Sequence, residues 1–366
     1  MFETLFSPKQ IGTVTVKNRL VFAPTTWGLS QEEMLLRYRA IAKGGCGMVA
    51  VGDVPARQTP TAPSLQKKKG FAFYAQVAEV IHEGNALASA QLFDSDGNWK
   101  ALLPLLPAVL CKKKTPDDLR QALNDSVGPY ITSLSAKKVK EITTAYGKAA
   151  KKAKEAGFDL IQIHGDRMCG AFLSTLFNNR SDRYGGSLAH RLTFALEAVA
   201  AAKTAGLPVE MKFVVRTETY GKAGLLAEEV AEAVRLLEMA GVDSFHVTLA
   251  NHSALTHTIP PKTHPAFGAE GCFLPFASLV KQAATVPVCT VGAWQHPQQM
   301  EECCQKGEAD FFAMSRQLIC DVAWCEKVRT GQLDQIKYCV RCNRCVDSLM
   351  QHKGTRCIFE KGAKEA

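Results

Sequence analysis

The sequence predicts an α/β fold: a (β/α)8 TIM barrel that carries a short C-terminal cysteine-rich extension. Three observations predict it. Eight short apolar and β-branched runs recur along the 366 residues. Segments of helical period separate most of them. No G-x-G-x-x-G turn follows an early strand, which a doubly wound sheet would normally offer.

The predicted strands are residues 19–22 (RLVF), 47–51 (GMVAV), 86–92 (ALASAQL), 159–164 (DLIQIH), 209–215 (VEMKFVV), 244–249 (SFHVTL), 286–291 (VPVCTV) and 309–314 (ADFFAM). Near-continuous apolar runs fit strands covered on both faces. Residues 136–156 and 227–240 have helical period and precede the fourth and sixth strands. The long segment 94–135 follows the third strand and reads as an excursion or lid over the barrel mouth. Residues 1–335 form the barrel, and residues 336–366 form a metal-binding tail too short to fold without its metal.

Composition bounds the function. Hydrophobic residues make up 46%, enough for a large core, and no run of eighteen apolar residues would span a membrane. The N-terminus lacks the basic-then-apolar pattern of a secretory signal, so a cytoplasmic protein is expected. Thirteen cysteines should then stay reduced, and those outside the tail read as small buried hydrophobes. Net charge is +9, but Lys151, Lys152 and Lys154 share a helical stretch with Ala and Glu, a solvated face rather than a nucleic-acid surface. The same field suits an acidic small substrate or an acidic electron carrier.

In such barrels chemistry sits at the C-terminal ends of the strands. Gly292-Ala293 and Ser315-Arg316 end the seventh and eighth strands, where small residues and an arginine suit a phosphate; tight turns and a surface arginine are the plainer reading. Gln91 can match the donor and acceptor edge of a flavin pyrimidine. Lys212 lies within an apolar strand and either stabilises charge on a reduced flavin or reaches the rim. His164 and Arg167, three apart, can clamp one carbonyl or carboxylate oxygen; the alternative is a structural histidine with Arg167 paired to Asp166 or Asp182. Finally Cys339, Cys342 and Cys345, with Cys357 downstream, suit a 4Fe–4S cluster better than zinc, which takes paired ligands from two knuckles.

Together these motifs resemble the old yellow enzyme superfamily, and within it the iron–sulfur branch of 2,4-dienoyl-CoA reductase, 2-enoate reductase, bile-acid enoate reductases and trimethylamine dehydrogenase. The resemblance covers nearly the whole chain. Leu5-Phe6-Ser7-Pro8 with Lys17-Asn18-Arg19 looks like the family's opening, and Ala23-Pro24-Thr25-Thr26 like its first flavin loop. Ala156-Gly157-Phe158-Asp159 into His164-Gly165 looks like its active-site strand, and Asn179-Arg180-Ser181-Asp182-Arg183-Tyr184-Gly185-Gly186-Ser187 like its structural signature. The resemblance implies an FMN site at Pro24, Thr25, Thr26, Gly52, Gln91, Lys212, Gly292, Ala293, Ser315 and Arg316. It implies cluster ligands at Cys339, Cys342, Cys345 and Cys357, and substrate anchors at His164 and Arg167.

Three departures matter. Arg167 stands where the family usually has His or Asn, which favours an acidic or enolate-forming group. Cys169 occupies the place of a proton-donating tyrosine and is a candidate donor. The chain also stops nine residues after Cys357, where larger relatives continue into nucleotide-binding domains.

The expected function is an FMN- and 4Fe–4S-dependent ene-reductase acting on an enoate, enoyl-thioester or enone. Electrons would come from NADH or NADPH directly, or from a separate electron-donor protein through the cluster. The alternatives are an amine or ring dehydrogenase running in the oxidative direction, and a non-catalytic electron-transfer or redox-sensing flavoprotein. A homo-oligomer is compatible with the sequence.

Overall fold

The computed structural model describes residues 2–58, 63–105, 107, 111 and 115–360. Ten strands are present among them. An antiparallel hairpin, β1 (Lys9–Ile11) and β2 (Val14–Val16), precedes the barrel. Then follow β3 (Leu20–Phe22), β4 (Met48–Pro55), β5 (Leu87–Phe93), β6 (Leu160–His164), β7 (Val209–Val215), β8 (Ser244–Leu249), β9 (Val288–Val291) and β10 (Phe311–Met314). These eight close a barrel in sequence order, β10 pairing parallel with both β3 and β9. All eight predicted runs are barrel strands, and the (β/α)8 expectation holds.

Two apolar layers follow from strand alternation. Outward residues such as Val49, Ile161, Phe213 and Phe312 join the buried faces of the helices in one large cluster. Inward residues Val21, Met48, Leu160, Cys289 and Phe311 form a second cluster, closed at the barrel's N-terminal end by Ile11 and Val16 of the hairpin. Above that plug the inward positions turn polar: Ser89 and Gln91, Gln162 and His164, Glu210 and Lys212, Ser244 and His246.

The predicted helix before β6 is Ala136–Glu155, started by Ser135, whose hydroxyl accepts from the Lys138 N–H at 3.1 Å. It buries Val139, Ile142, Tyr146 and Ala150, while Lys151 and Lys154 stay exposed on the other face. The excursion after β5 contains a 3-10 turn (Trp99–Leu105) and a helix, Pro116–Ser133. Lys112, Lys113 and Lys114, a further cluster of positive charge in this excursion, lie outside the described residues. Among the described residues no helix is long and apolar enough to cross a membrane.

Beyond Ile336 the tail lies across the C-terminal mouth of the barrel. Gln317 donates to the Lys337 carbonyl at 2.9 Å and accepts from the Cys339 N–H at 2.9 Å. Thr355 binds the carbonyls of Trp27 and Thr26, each at 2.7 Å.

Candidate active site

A cavity of about 730 Å³ opens at the C-terminal ends of the strands, within the usual size of a small-molecule site. All ten residues expected to bind flavin line it, as do His164 and Arg167. On one side Pro24, Thr25 and Thr26 leave β3, and Thr25 Oγ1 meets Ser315 Oγ at 2.8 Å, tying β3 to β10. Gly52 lies so close that an added Cβ would stand 3.1 Å from the Thr25 nitrogen. A register shift between Val51 and Val54 turns Asp53 into positive φ beside it, a bulge at the site rim.

Gln91 is oriented by a relay inside the barrel. Its amide N–H donates to Gln162, whose own amide donates to Glu210 and to His246 Nδ1 at 3.3 Å. Burial, then Lys212, depresses His246 to about 3, so it accepts as a neutral ring. Burial pushes Glu210 up to about 6. With its donor committed, Gln91 keeps its carbonyl free for the cavity.

The end of β6 holds the candidate anchors. Burial, then Lys212 and Arg167, drives His164 well below its ordinary value, so the ring is neutral. Its Nδ1 accepts from the Asp166 N–H at 3.2 Å, which leaves the proton on Nε2 as a donor. Gly165 permits this approach: a Cβ there would stand 2.0 Å from the Lys212 carbonyl. Arg167 follows as the residue before helix Met168–Leu173, and neither Asp166 nor Asp182 pairs with it. Asp182 instead binds Arg180, while Asp166 accepts from the Asn251 N–H at 2.7 Å. Burial pushes the Asp166 carboxyl up to about 6. Burial likewise lowers Lys212, although Asp166 and Asp53 offset part of that.

Opposite lies a cationic corner. Gly292 (φ 139°) has no room for a side chain, because a Cβ would stand 2.8 Å from the Phe273 nitrogen. Arg316 and Arg341 both reach the cavity here. Arg316 Nη1 binds the Pro260 carbonyl at 2.9 Å and the Asn343 amide oxygen. Arg341 is buried, and its Nη1 has no partner among the described residues. Two guanidiniums without a carboxylate beside them fit a phosphate.

Cys169 is the candidate that the structure does not bring to the cavity. It is fully buried in the outer core, beside Tyr146, and burial holds its thiol far above the usual range. It lies on helix Met168–Leu173, all of whose residues are buried and none of which lines the cavity.

Cys339, Cys342, Cys345 and Cys357 line one small cavity with Arg316. Arg341 and Asn343, both at positive φ, turn the loop between them, and the Arg341 N–H points at Cys339 Sγ, 3.4 Å away. A fifth thiol, Cys320, lies nearby and donates to the Lys337 carbonyl at 3.6 Å. Among the described residues no three His, Cys, Asp or Glu side chains are drawn together as a metal-holding group.

The spacing of strands and glycines did not reveal Arg341, because it sits inside the cysteine motif. It also missed the lid contacts, where His252 Nε2 meets Asp96 Oδ2 at 2.7 Å and Nδ1 meets Asn124 at 3.1 Å. Asp166 lies between His164 and Arg167 in the sequence, and nothing local marks it as more than a partner for Arg167.

Comparison with known proteins agrees with this geometry. The NADH:flavin oxidoreductase / NADH oxidase family matches residues 4–335. A bilirubin reductase of Clostridium symbiosum is 49% identical over 99% of this chain and 98% of its own. A bilirubin reductase of Mediterraneibacter gnavus is 30% identical over 97% of this chain but only 56% of its own, so the chain spans about half of that relative. A 2-naphthoyl-CoA reductase, solved with 2-naphthoyl-CoA, shares the fold over 99% of this chain and 58% of its own, with TM-score 0.81 and 21% identity. The chain therefore belongs to the NADH:flavin oxidoreductase / NADH oxidase family and is a flavin-dependent oxidoreductase of the old yellow enzyme type.

Proposed function

We propose that the chain is an ene-reductase that saturates a C=C bond conjugated to a carbonyl or carboxylate, and that its substrate is a linear tetrapyrrole of the bilirubin class. One observation carries the reaction type: a neutral imidazole donor and a guanidinium at the end of β6 face the same cavity as Lys212. The substrate class rests on the end-to-end likeness to a bilirubin reductase. Such a molecule is long, apolar and bears carboxylates. The lid's Leu119, Leu123 and Val127 supply apolar wall, and Arg167 supplies a carboxylate partner.

The cavity residues fit FMN, which when bound supplies the hydride. The Arg316–Arg341 corner would hold its phosphate and Gln91 its pyrimidine edge, while Lys212 would offset negative charge. His164 Nε2–H and Arg167 hold the substrate oxygen and stabilise charge as it develops there. Asp166, a buried carboxyl in the same wall, holds a proton for the α-carbon. The four tail cysteines fit a 4Fe–4S cluster, whose chemistry is single-electron transfer. Reducing equivalents come from NADH or NADPH, or from a separate carrier protein. Thirteen unpaired cysteines favour a reducing, cytoplasmic setting.

The oxidative alternative, an amine dehydrogenase, meets Arg167 and Lys212 in the same cavity, and both repel a cationic amine. The test is anaerobic reconstitution with FMN and iron, followed by addition of bilirubin or cinnamate to the reduced protein and of dimethylglycine to the oxidised protein. Fast flavin reoxidation by bilirubin is expected. Reoxidation by neither bilirubin nor cinnamate, with flavin bound, would sink the ene-reductase reading, and flavin reduction by dimethylglycine would favour the oxidative alternative.

A further inference from the structure

Large apolar side chains are exposed at few places among the described residues, and the cysteine tail gathers most of them. Val340 is 49% exposed, Ile358 40% and Phe359 48%. These three rim the small cavity lined by the four cysteines, and Cys342 itself is exposed there. Tyr338, two residues earlier, is 36% exposed and stacks on His296. A contiguous apolar rim at a solvent-exposed cysteine is unusual unless something covers it.

Charge says what kind of partner fits. Residues 336–360 hold five Lys or Arg and two acids, Asp347 and Glu360, and Glu360 is paired with Arg37. Lys337, Arg344 and Lys353 are exposed, and no ion pair engages them among the described residues. An apolar centre with exposed, unpaired cations on the same segment suits an acidic protein, because charge steers the approach and the apolar contact holds it.

We propose that this face docks a small acidic one-electron carrier of the ferredoxin type, an inference that rests on the cluster reading of the four cysteines. Each docking event oxidises one carrier by one electron and passes that electron to the chain, with no atom exchanged. Two successive encounters, with protons drawn from water, match the two electrons that saturating one C=C bond consumes.

The test uses the iron- and FMN-loaded protein and an oxidised bacterial-type ferredoxin, with binding followed by calorimetry at low and high salt. Wild-type protein should bind, and affinity should fall as salt rises. The K337E/K353E double variant should bind about tenfold or more weakly. Tyr338→Glu should weaken binding as well, and iron content should stay at the wild-type level in both. Equal affinity of loaded wild type and variants would overturn the docking face while leaving the cluster intact. Iron-free protein after reconstitution would remove the cluster reading and the docking proposal together. A dimer in sedimentation that Tyr338→Glu converts to monomer would assign the face to a second copy of the chain, and that too overturns the proposal.

Discussion

The Arg316 guanidinium donates to the side-chain oxygen of Asn343, which lies between Cys342 and Cys345. One residue at the end of β10 thus lines both the large cavity and the cysteine cavity. Arg341 repeats the link from the other direction, since it belongs to the cysteine loop, lines the large cavity, and its buried Nη1 has no partner among the described residues. If the four tail cysteines hold the proposed cluster, removing its iron should loosen the flavin. Chelation is expected to weaken FMN retention, and Arg341→Ala about tenfold or more, as losing one charge-assisted phosphate contact implies. Equilibrium dialysis of FMN, with and without chelator, reads both effects.

The anchor pair should show a division of labour. His164→Ala removes a neutral donor and is expected to lower kcat/KM about 10²–10³-fold for every substrate. Arg167→Ala should penalise substrates bearing a carboxylate far more than uncharged enones. Comparing bilirubin with a simple enone separates the two; an equal loss on both would take carboxylate recognition away from Arg167.

Asp166 gives a pH dependence of defined sign. Its carboxyl is raised to about 6, so the proton-bearing form is lost as pH rises through that value. Substrate-driven reoxidation of the reduced flavin should fall along the same limb. Asp166→Asn should flatten that limb as well as slow the reaction, and an unchanged limb would assign the proton to another group.

Gly165 should tolerate no side chain. A Cβ 2.0 Å from the Lys212 carbonyl must push β6 away from β7, where the Gly165 N–H now meets that carbonyl at 3.0 Å. Gly165→Ala is expected to cost about 2 kcal/mol or more in stability. It should also cost activity beyond that loss, because His164 and Lys212 separate. Thermal unfolding and kcat measured on the same preparation check this.

Cys169→Ala should leave the pH profile and flavin reoxidation close to wild type. Its effect should appear as a small stability loss, about 1–2 kcal/mol for a buried thiol removed from a packed core. A proton-transfer defect would return Cys169 to the site.

The barrel was legible because strands buried on both faces read as apolar runs, and every one of the eight appears where the runs stand. The cavity's lining was legible for the same reason, since strand ends such as Gln91, His164 and Lys212 follow once the strands are placed. The β1–β2 hairpin was not, because three-residue strands carry too few alternations to show a period. Arg341 and His252 were invisible for a different reason: their neighbours across the cavity are remote in sequence, and nothing local marks them. Cys169 was misplaced because a motif position carries no information about which way a short helix turns.

The lid has a consequence for how such a protein diversifies. Its root is clamped, with Asp94 bound by Arg57 and its carbonyl accepting from the Met168 N–H, and His252 fastens it to the loop after β8. The stretch between those fastenings supplies Leu119, Leu123 and Val127 to the cavity but none of the residues at the strand ends. Substrate range can therefore drift by exchange of one inserted segment, while the redox machinery beneath is inherited untouched.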